Sequence, residues 1–260
     1  MNKKSLLVLT MFTLLSGSGL TWQAQAGSLI SWERLTDATV RAAREPSTWA
    51  PLAAAAVIGA GNWDHQWQSS ISKHKSIFGG DAEGKSNALV TASTGLYALS
   101  TLAAAPRGQS FSESMQWKAV NVGVMLADKT LIDGMVTEWK IVSNRDRPDG
   151  VAGDAFPSKH NATVATQSTL TRRNLDYIDL DPTLRKLAKI GLYGIDGLTG
   201  IARMEADKHY PTDVLVGMAL GNFLANLSYN LFLEKSSSQT YILALVPTAN
   251  SLTLNTQFIF

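Results

Sequence analysis

The chain of 260 residues has no cysteine, and that absence excludes a thiol nucleophile, a disulfide framework and any cysteine-ligated metal or cluster. Histidine is scarce as well: His65, His74, His160 and His209 are the whole supply, too few for a histidine-rich metal site, so each one carries weight as a clue. Excess charge is also missing. Lys and Arg number 23 against 21 Asp and Glu, and the two extra cations, Lys3 and Lys4, sit in a leader, so no basic footprint remains and nucleic acid is not an expected partner. What remains is a chain long enough to bury on the order of 70% of its unfolded surface without staples.

Residues 1–26 read as an address. Lys3 and Lys4 precede an apolar stretch from Leu6 to about Leu15, and a polar tail closes on Ala24-Gln25-Ala26, the small-x-small pattern of a signal-peptidase site. The apolar stretch is shorter than the roughly 18 to 20 residues that cross a bilayer. The reading is a cleaved signal peptide, with residues 27–240 as a helical domain working in the periplasm and 241–260 as a small C-terminal β-hairpin.

The mature region reads as helices. Ser110 and Glu113 form a capping box ahead of Trp117, Val120, Val124, Ala127, Leu131, Met135 and Trp139, which recur at helical steps and predict one long helix over 111–142, ended before Pro148. Asp181-Pro182 and Tyr210-Pro211 mark two further starts. The Ala-rich, uncharged stretches 49–61 and 87–105 predict buried helices. Residues 87–105 and 214–233 are each long enough to span a membrane, but Asn222, Asn226 and Asn230 form a polar stripe that demands partners within a bundle, which favours a soluble bundle over the alternative of membrane insertion and leaves peripheral membrane contact open. Gly191, Gly194, Gly197 and Gly200 cost about 1 kcal/mol each against Ala in a helix, so close helix approach is expected there. Asp64, His65 and His74 fall in a polar stretch expected to be a surface loop. At the C-terminus, Tyr241 to Val246 and Ser251 to Phe260 alternate at the strand period around a turn at 247–250.

Three clusters carry the chemistry. Lys140 and Arg147-Pro148 place two cations at the end of the long helix and in the loop after it. Pro157-Ser158-Lys159-His160 precedes a helix, whose first N–H groups suit an anion. Arg203 is followed by His209 and, one helical turn later, Asp213, a spacing at which the carboxylate can accept an imidazole N–H and leave the other ring nitrogen free as a nucleophile.

In order and spacing these clusters resemble the type 2 phosphatidic acid phosphatase superfamily, which also holds bacterial class A acid phosphatases and vanadium haloperoxidases. Its patterns Lys-x6-Arg-Pro, Pro-Ser-Gly-His and Ser-Arg-x5-His-x3-Asp match at 140–148, 157–160 and 202–213. The resemblance implies an all-α helical bundle with the motifs meeting at one end, and a metal-independent phosphatase without cofactor. It implies that Lys140, Arg147, Arg203 and Ser158 hold the phosphoryl oxygens. By the same resemblance His209 attacks phosphorus, Asp213 orients it, and His160 protonates the leaving oxygen and then activates water. Two positions depart from the patterns: Lys159 stands in place of Gly, bringing a further cation to the pocket or its rim, and Ala202 stands in place of Ser. The implied substrate is a phosphomonoester or pyrophosphate of a lipid or isoprenoid. A nonspecific acid phosphatase acting on small phosphoesters, a vanadate-dependent haloperoxidase and a non-catalytic envelope binding protein are the alternatives.

Overall fold

The computed structural model describes residues 31–106 and 108–234, and the backbone of 240–248 and 251–259. The expected signal peptide lies outside the described residues. Trp32–Glu234 forms one compact unit and contains eight α-helices: α1 (Trp32–Arg44), α2 (Pro46–Ala60), α3 (Asp64–His74), α4 (Ala82–Ala103), α5 (Phe111–Ser143), α6 (Lys159–Asn174), α7 (Pro182–Glu205) and α8 (Pro211–Phe232). In the other unit the backbone of β1 (Thr240–Thr248) runs antiparallel to β2 (Ser251–Ile259), Tyr241 opposite Phe258. The fold class rests on the helical unit alone.

Local signals set the helix ends. Ser110 Oγ accepts from the Glu113 N–H at 3.3 Å while Glu113 Oε2 accepts from the Ser110 N–H at 2.7 Å, so the capping box starts α5. Asn144, in the left-handed region at φ 43°, stops it four residues ahead of Pro148. Asp181 caps α7 by accepting from the Thr183 and Leu184 N–H groups, with Pro182 at the first helical position.

α6 and α8 form the centre, and α4, α5 and α7 pack around α6 while α1 and α2 pack on α8. The two central helices approach closely because glycine faces α6: a Cβ at Gly217 would lie 2.4 Å from Ser158 O, and one at Gly221 would lie 2.1 Å from Ala162 O. One apolar cluster joins Tyr97, Trp117, Leu170 and Tyr229, and a second joins Ile132, Val136, Leu220 and Leu224. Fully burying an aliphatic side chain of this size contributes roughly 1.5 to 3 kcal/mol, so these clusters hold α5 onto the two central helices.

α6 is buried although its sequence is polar, because its side chains are paired across the bundle. Ser93 Oγ donates to Gln167 Oε1, Asn121 Nδ2 donates to Asn174 Oδ1 at 2.7 Å, and Arg172 pairs with Asp196 at 3.1 Å. The asparagine stripe on α8 finds the partners it needs: Asn222 accepts from Thr169 and Arg172, Asn226 from Arg173, and Asn230 donates to Ala38 O. Among the described residues α8 alone is long and apolar enough to cross a membrane, and 72% of its apolar window is buried inside the bundle.

Several expectations are corrected. Gly191, Gly194 and Gly197 face open space, and only Gly200 makes the close approach, 2.5 Å from Val214 Cγ1 to its would-be Cβ. The Ala-rich helices are not buried all round: Leu96, Leu99 and Leu102 on α4, and Trp49, Leu52 and Val57 on α2, are exposed. Leu184, Leu187 and Ile190 extend the exposed apolar surface on α7. The stretch expected as a surface loop around His65 and His74 is helix α3, whose first residue, Asp64, reaches across to cap α8 by accepting from the Thr212 N–H at 2.9 Å.

Candidate active site

The end of α5, the loop 144–158, the start of α6, the end of α7 and the start of α8 converge at one end of the unit. Backbone bonds fasten the three motif segments together. The Ser158 N–H donates to Asp213 O at 2.9 Å, and the Asp149 N–H donates to Asp207 O at 3.0 Å. Lys208 braces the same junction through Asp149 at 3.1 Å and Glu83 at 3.4 Å.

His209 is 1% exposed, and its Nδ1 lies 2.7 Å from the Ala155 carbonyl oxygen. A carbonyl only accepts, so Nδ1 carries the ring proton and Nε2 keeps its lone pair. Burial holds the imidazole below its ordinary value against the opposing pull of Asp213 and the Ala155 carbonyl, so the neutral form is favoured. Asp213 itself stands off: its Oδ2 is 3.8 Å from Nδ1, and the carboxylate accepts instead from the Tyr210 N–H at 2.7 Å and from Arg145 Nη1 at 2.7 Å. The direct orienting contact on His209 is therefore a backbone carbonyl, which no side-chain motif announces.

His160 Nε2 bonds Asn87 Oδ1 at 2.8 Å. Burial first, and then the charges of Arg203, His209, Arg147 and Lys140, push this imidazole down to about 4. Groups from the first and third motifs thus act on a ring of the second.

Of the cations, Lys140 and Arg147 both pair with the Asp154 carboxylate, and Arg147 Nε also donates to Asp154 O at 3.1 Å. Arg203 is 3% exposed, donates to Ser86 Oγ at 3.2 Å, and leaves its Nε–H without a hydrogen-bond partner. Burial and the nearby Arg147 lower its value to about 10, still cationic at neutral pH. A buried guanidinium with an unmet donor is a ready seat for an anion.

Ser158 is fully buried and its Oγ donates to Asn161 Oδ1 at 3.0 Å. Lys159 lies apart from the other cations in its pairing: it reaches Asp133 at 2.9 Å and lines, with Lys140 and Asp154, an open groove of about 570 Å³ between α5 and the 150–154 loop. It is a rim cation. Ala202 is buried without exposure, so no hydroxyl enters from that position.

Ser86, Asn87, Ala155, Asp154, Arg145 and Glu205 complete the site and were not singled out from sequence. Glu205, 1% exposed, accepts from the Ile77 and Phe78 N–H groups and fastens the segment between α3 and α4 to the end of α7. Among the described residues no group of three or more His, Asp and Glu side chains is arranged to hold a metal ion.

Over 99 residues the chain is 35% identical to a lipid A 1-phosphatase of Porphyromonas gingivalis, a match covering 38% of this chain and 21% of that protein, so the chain spans about a fifth of that relative's length. The crystal structure described as the first transmembrane PAP2 type phosphatidylglycerolphosphate phosphatase from Bacillus subtilis aligns with a TM-score of 0.45 and 20% identity, over 71% of this chain and 94% of the other. The model of the PAP2 superfamily matches residues 102–237, more than half of the chain and all three motif segments, and the chain belongs to that superfamily.

Proposed function

We propose that the protein is a metal-independent phosphatase acting on a phosphorylated lipid or isoprenoid, a phosphomonoester or a pyrophosphate, through a phosphohistidine intermediate. The observation that carries this reading is the bond from His209 Nδ1 to Ala155 O, which fixes the tautomer that leaves Nε2 free to attack. In the proposed reaction Nε2 attacks phosphorus, the P–O bond to the leaving group breaks, and His160 delivers a proton to the departing oxygen. His160 then takes a proton from the water that hydrolyses the P–N bond and releases phosphate. Lys140, Arg147 and Arg203 neutralise the charge on the phosphoryl oxygens, with Ser158 and the first N–H groups of α6 behind them, a task that in this chemistry is mostly positioning and electrostatics.

Burial, and then the charges of Arg203, His209, Arg147 and Lys140, disfavour a protonated His160. A phosphate dianion offsets the part due to those charges, so substrate binding favours the acid form. Similarity to a lipid A 1-phosphatase supports a lipid phosphate as substrate. The apolar side chains exposed on α4 and α7 support contact with a lipid phase. The leader read over residues 1–26 supports a periplasmic location, and the C-terminal strands are read as a hairpin of the same envelope protein.

The test is hydrolysis by the purified full-length chain of phosphatidate, phosphatidylglycerophosphate, undecaprenyl pyrophosphate and p-nitrophenyl phosphate, with EDTA or vanadate added. Activity on a lipid phosphate, resistance to EDTA, inhibition by vanadate and an acid-labile phosphoryl group lost in His209→Ala are expected. A folded wild-type protein inactive across the panel would leave the envelope binding module as the surviving reading.

A further inference from the structure

Asp154 is the acidic side chain on which two of the proposed phosphate-binding cations close. Its two carboxylate oxygens divide between them, Oδ1 to Lys140 Nζ and Oδ2 to Arg147 Nη2. This is the arrangement two oxygens of a phosphoryl group would adopt, because ammonium and guanidinium donors grip carboxylate and phosphate in the same way. We propose that Asp154 is an internal occupant of the phosphate cradle, and that substrate enters by displacing its carboxylate from Lys140 and Arg147. The inference rests on the reading of these cations as a phosphate site.

Three observations favour displacement over a permanent brace. The Asp154 side chain is 37% exposed, against 18% for Lys140 and 17% for Arg147, so the carboxylate lies on the solvent side of its partners. Its backbone is held separately, by Arg147 Nε on Asp154 O, so the loop keeps an anchor when the carboxylate leaves. The groove it faces also carries Lys159, which gives a displaced carboxylate a second cation to approach.

The physical consequence is selection by charge. A carboxylate brings one negative charge to the two cations and a phosphoryl terminus brings up to two, so a terminal phosphate competes well, while a ligand with a single diffuse charge does not. Although partial burial works against ionisation, Lys140 and Arg147 hold Asp154 below the usual carboxylate range, so the occupant is charged at neutral pH. Removing it leaves the cations uncompensated and the cradle more attractive to anions.

The experiment measures the affinity of the full-length chain for orthophosphate and vanadate by calorimetry, in wild type, Asp154→Asn and Asp154→Ala, with thermal unfolding recorded for each. Deleting one negative charge from a partly exposed site should tighten both anions by about tenfold. KM for a phosphomonoester should fall by a comparable factor. A side chain that merely braced Lys140 and Arg147 would on removal loosen them, so unchanged or weaker binding in the folded variant overturns the proposal while leaving the phosphatase reading intact. If Asp154→Asn fails to fold, Asp154→Ala supplies the same reading. Failure of wild type and variants alike to bind either anion defeats the phosphate site itself, and this proposal with it.

Discussion

Arg145 Nη1 donates to Asp213 Oδ1 at 2.7 Å while its Nη2 donates to Asp64 Oδ2 at 2.8 Å, so one guanidinium joins the start of α8 to the start of α3. The Tyr210 ring lies 4.2 Å beneath the same group. Asp213 has no exposed side-chain surface, and Arg145 is its charge partner. In Arg145→Ala that carboxylate keeps only the Tyr210 N–H. Removing one member of a buried pair costs about 3 to 5 kcal/mol, and because Arg145 is itself 26% exposed a loss of roughly 2 to 3 kcal/mol is expected. Arg145→Lys retains a charge but not the fork, and should lose about half as much. Chemical denaturation of the two variants measures this, and a loss below about 0.5 kcal/mol for the alanine variant would remove Arg145 from the account of how Asp213 is held.

His160 provides a pH test. In the free protein the imidazole is pushed down to about 4 by burial and by surrounding cations. Those cations disfavour its protonated form, and a bound dianion offsets them, so the value must rise on binding. The imidazole resonances of His160 should titrate near 4 in the free protein and at distinctly higher pH with orthophosphate bound. Correspondingly, the alkaline limb of kcat should lie at higher pH than that of kcat/KM, because the first reports the complex and the second the free enzyme. A His160 titration unmoved by phosphate would deny it a place beside the bound anion.

The clusters at 140–148, 157–160 and 202–213 were legible because each combines unlike residues at fixed spacing, and the ends of α5, α7 and α8 because capping residues and prolines act locally. α6 was legible only at its first turn. Its interior, Lys159–Asn174, is polar and shows no apolar face, yet Thr166 and Asn174 are fully buried, since partners on α4, α5 and α8 replace water. Pro148 marks Arg147 in sequence, but nothing there sends Arg145 to Asp213 and Arg147 to Asp154, which only the fold does. Ala155 contributes a backbone carbonyl, which any residue supplies, so nothing in its identity marks it.

Asp128 supplies a stability test away from the site. It is fully buried in α5, accepts from Ser228 Oγ, and leaves Oδ2 without a hydrogen-bond partner. Burial pushes its value up to about 7, against which the Ser228 bond pulls only partly. Because the folded protein holds this proton more tightly than the unfolded chain, the stabilisation is fully present below the ordinary value of 3.8 and is lost as pH rises toward 7. Asp128→Asn keeps a polar group of the same shape and removes the ionisation. The variant should be more stable than wild type at pH 8, by on the order of a few kcal/mol, with the difference shrinking toward pH 4. Urea titrations across that range measure it, and a pH-independent difference would show that Asp128 does not ionise on unfolding.

The glycines separate packing from propensity. Gly194 lies mid-helix in α7 with nothing within 4 Å of a would-be Cβ, so Gly194→Ala only narrows the unfolded ensemble and should stabilise by about 0.4 to 1 kcal/mol. Gly217 is also helical, but a Cβ there meets Ser158 O at 2.4 Å, a backbone atom that cannot swing aside. Gly217→Ala must therefore push α8 from the residue that precedes α6, and with it shift the Ser158 N–H that donates to Asp213 O. Overpacking of this kind costs roughly 1 to 3 kcal/mol. Because the strained contact joins two of the motif segments, anion affinity should fall together with stability in Gly217→Ala and stay unchanged in Gly194→Ala. Thermal unfolding and vanadate inhibition of the two variants, measured side by side, distinguish the cases, and equal behaviour would mean that the α6–α8 approach does not set the geometry of the site.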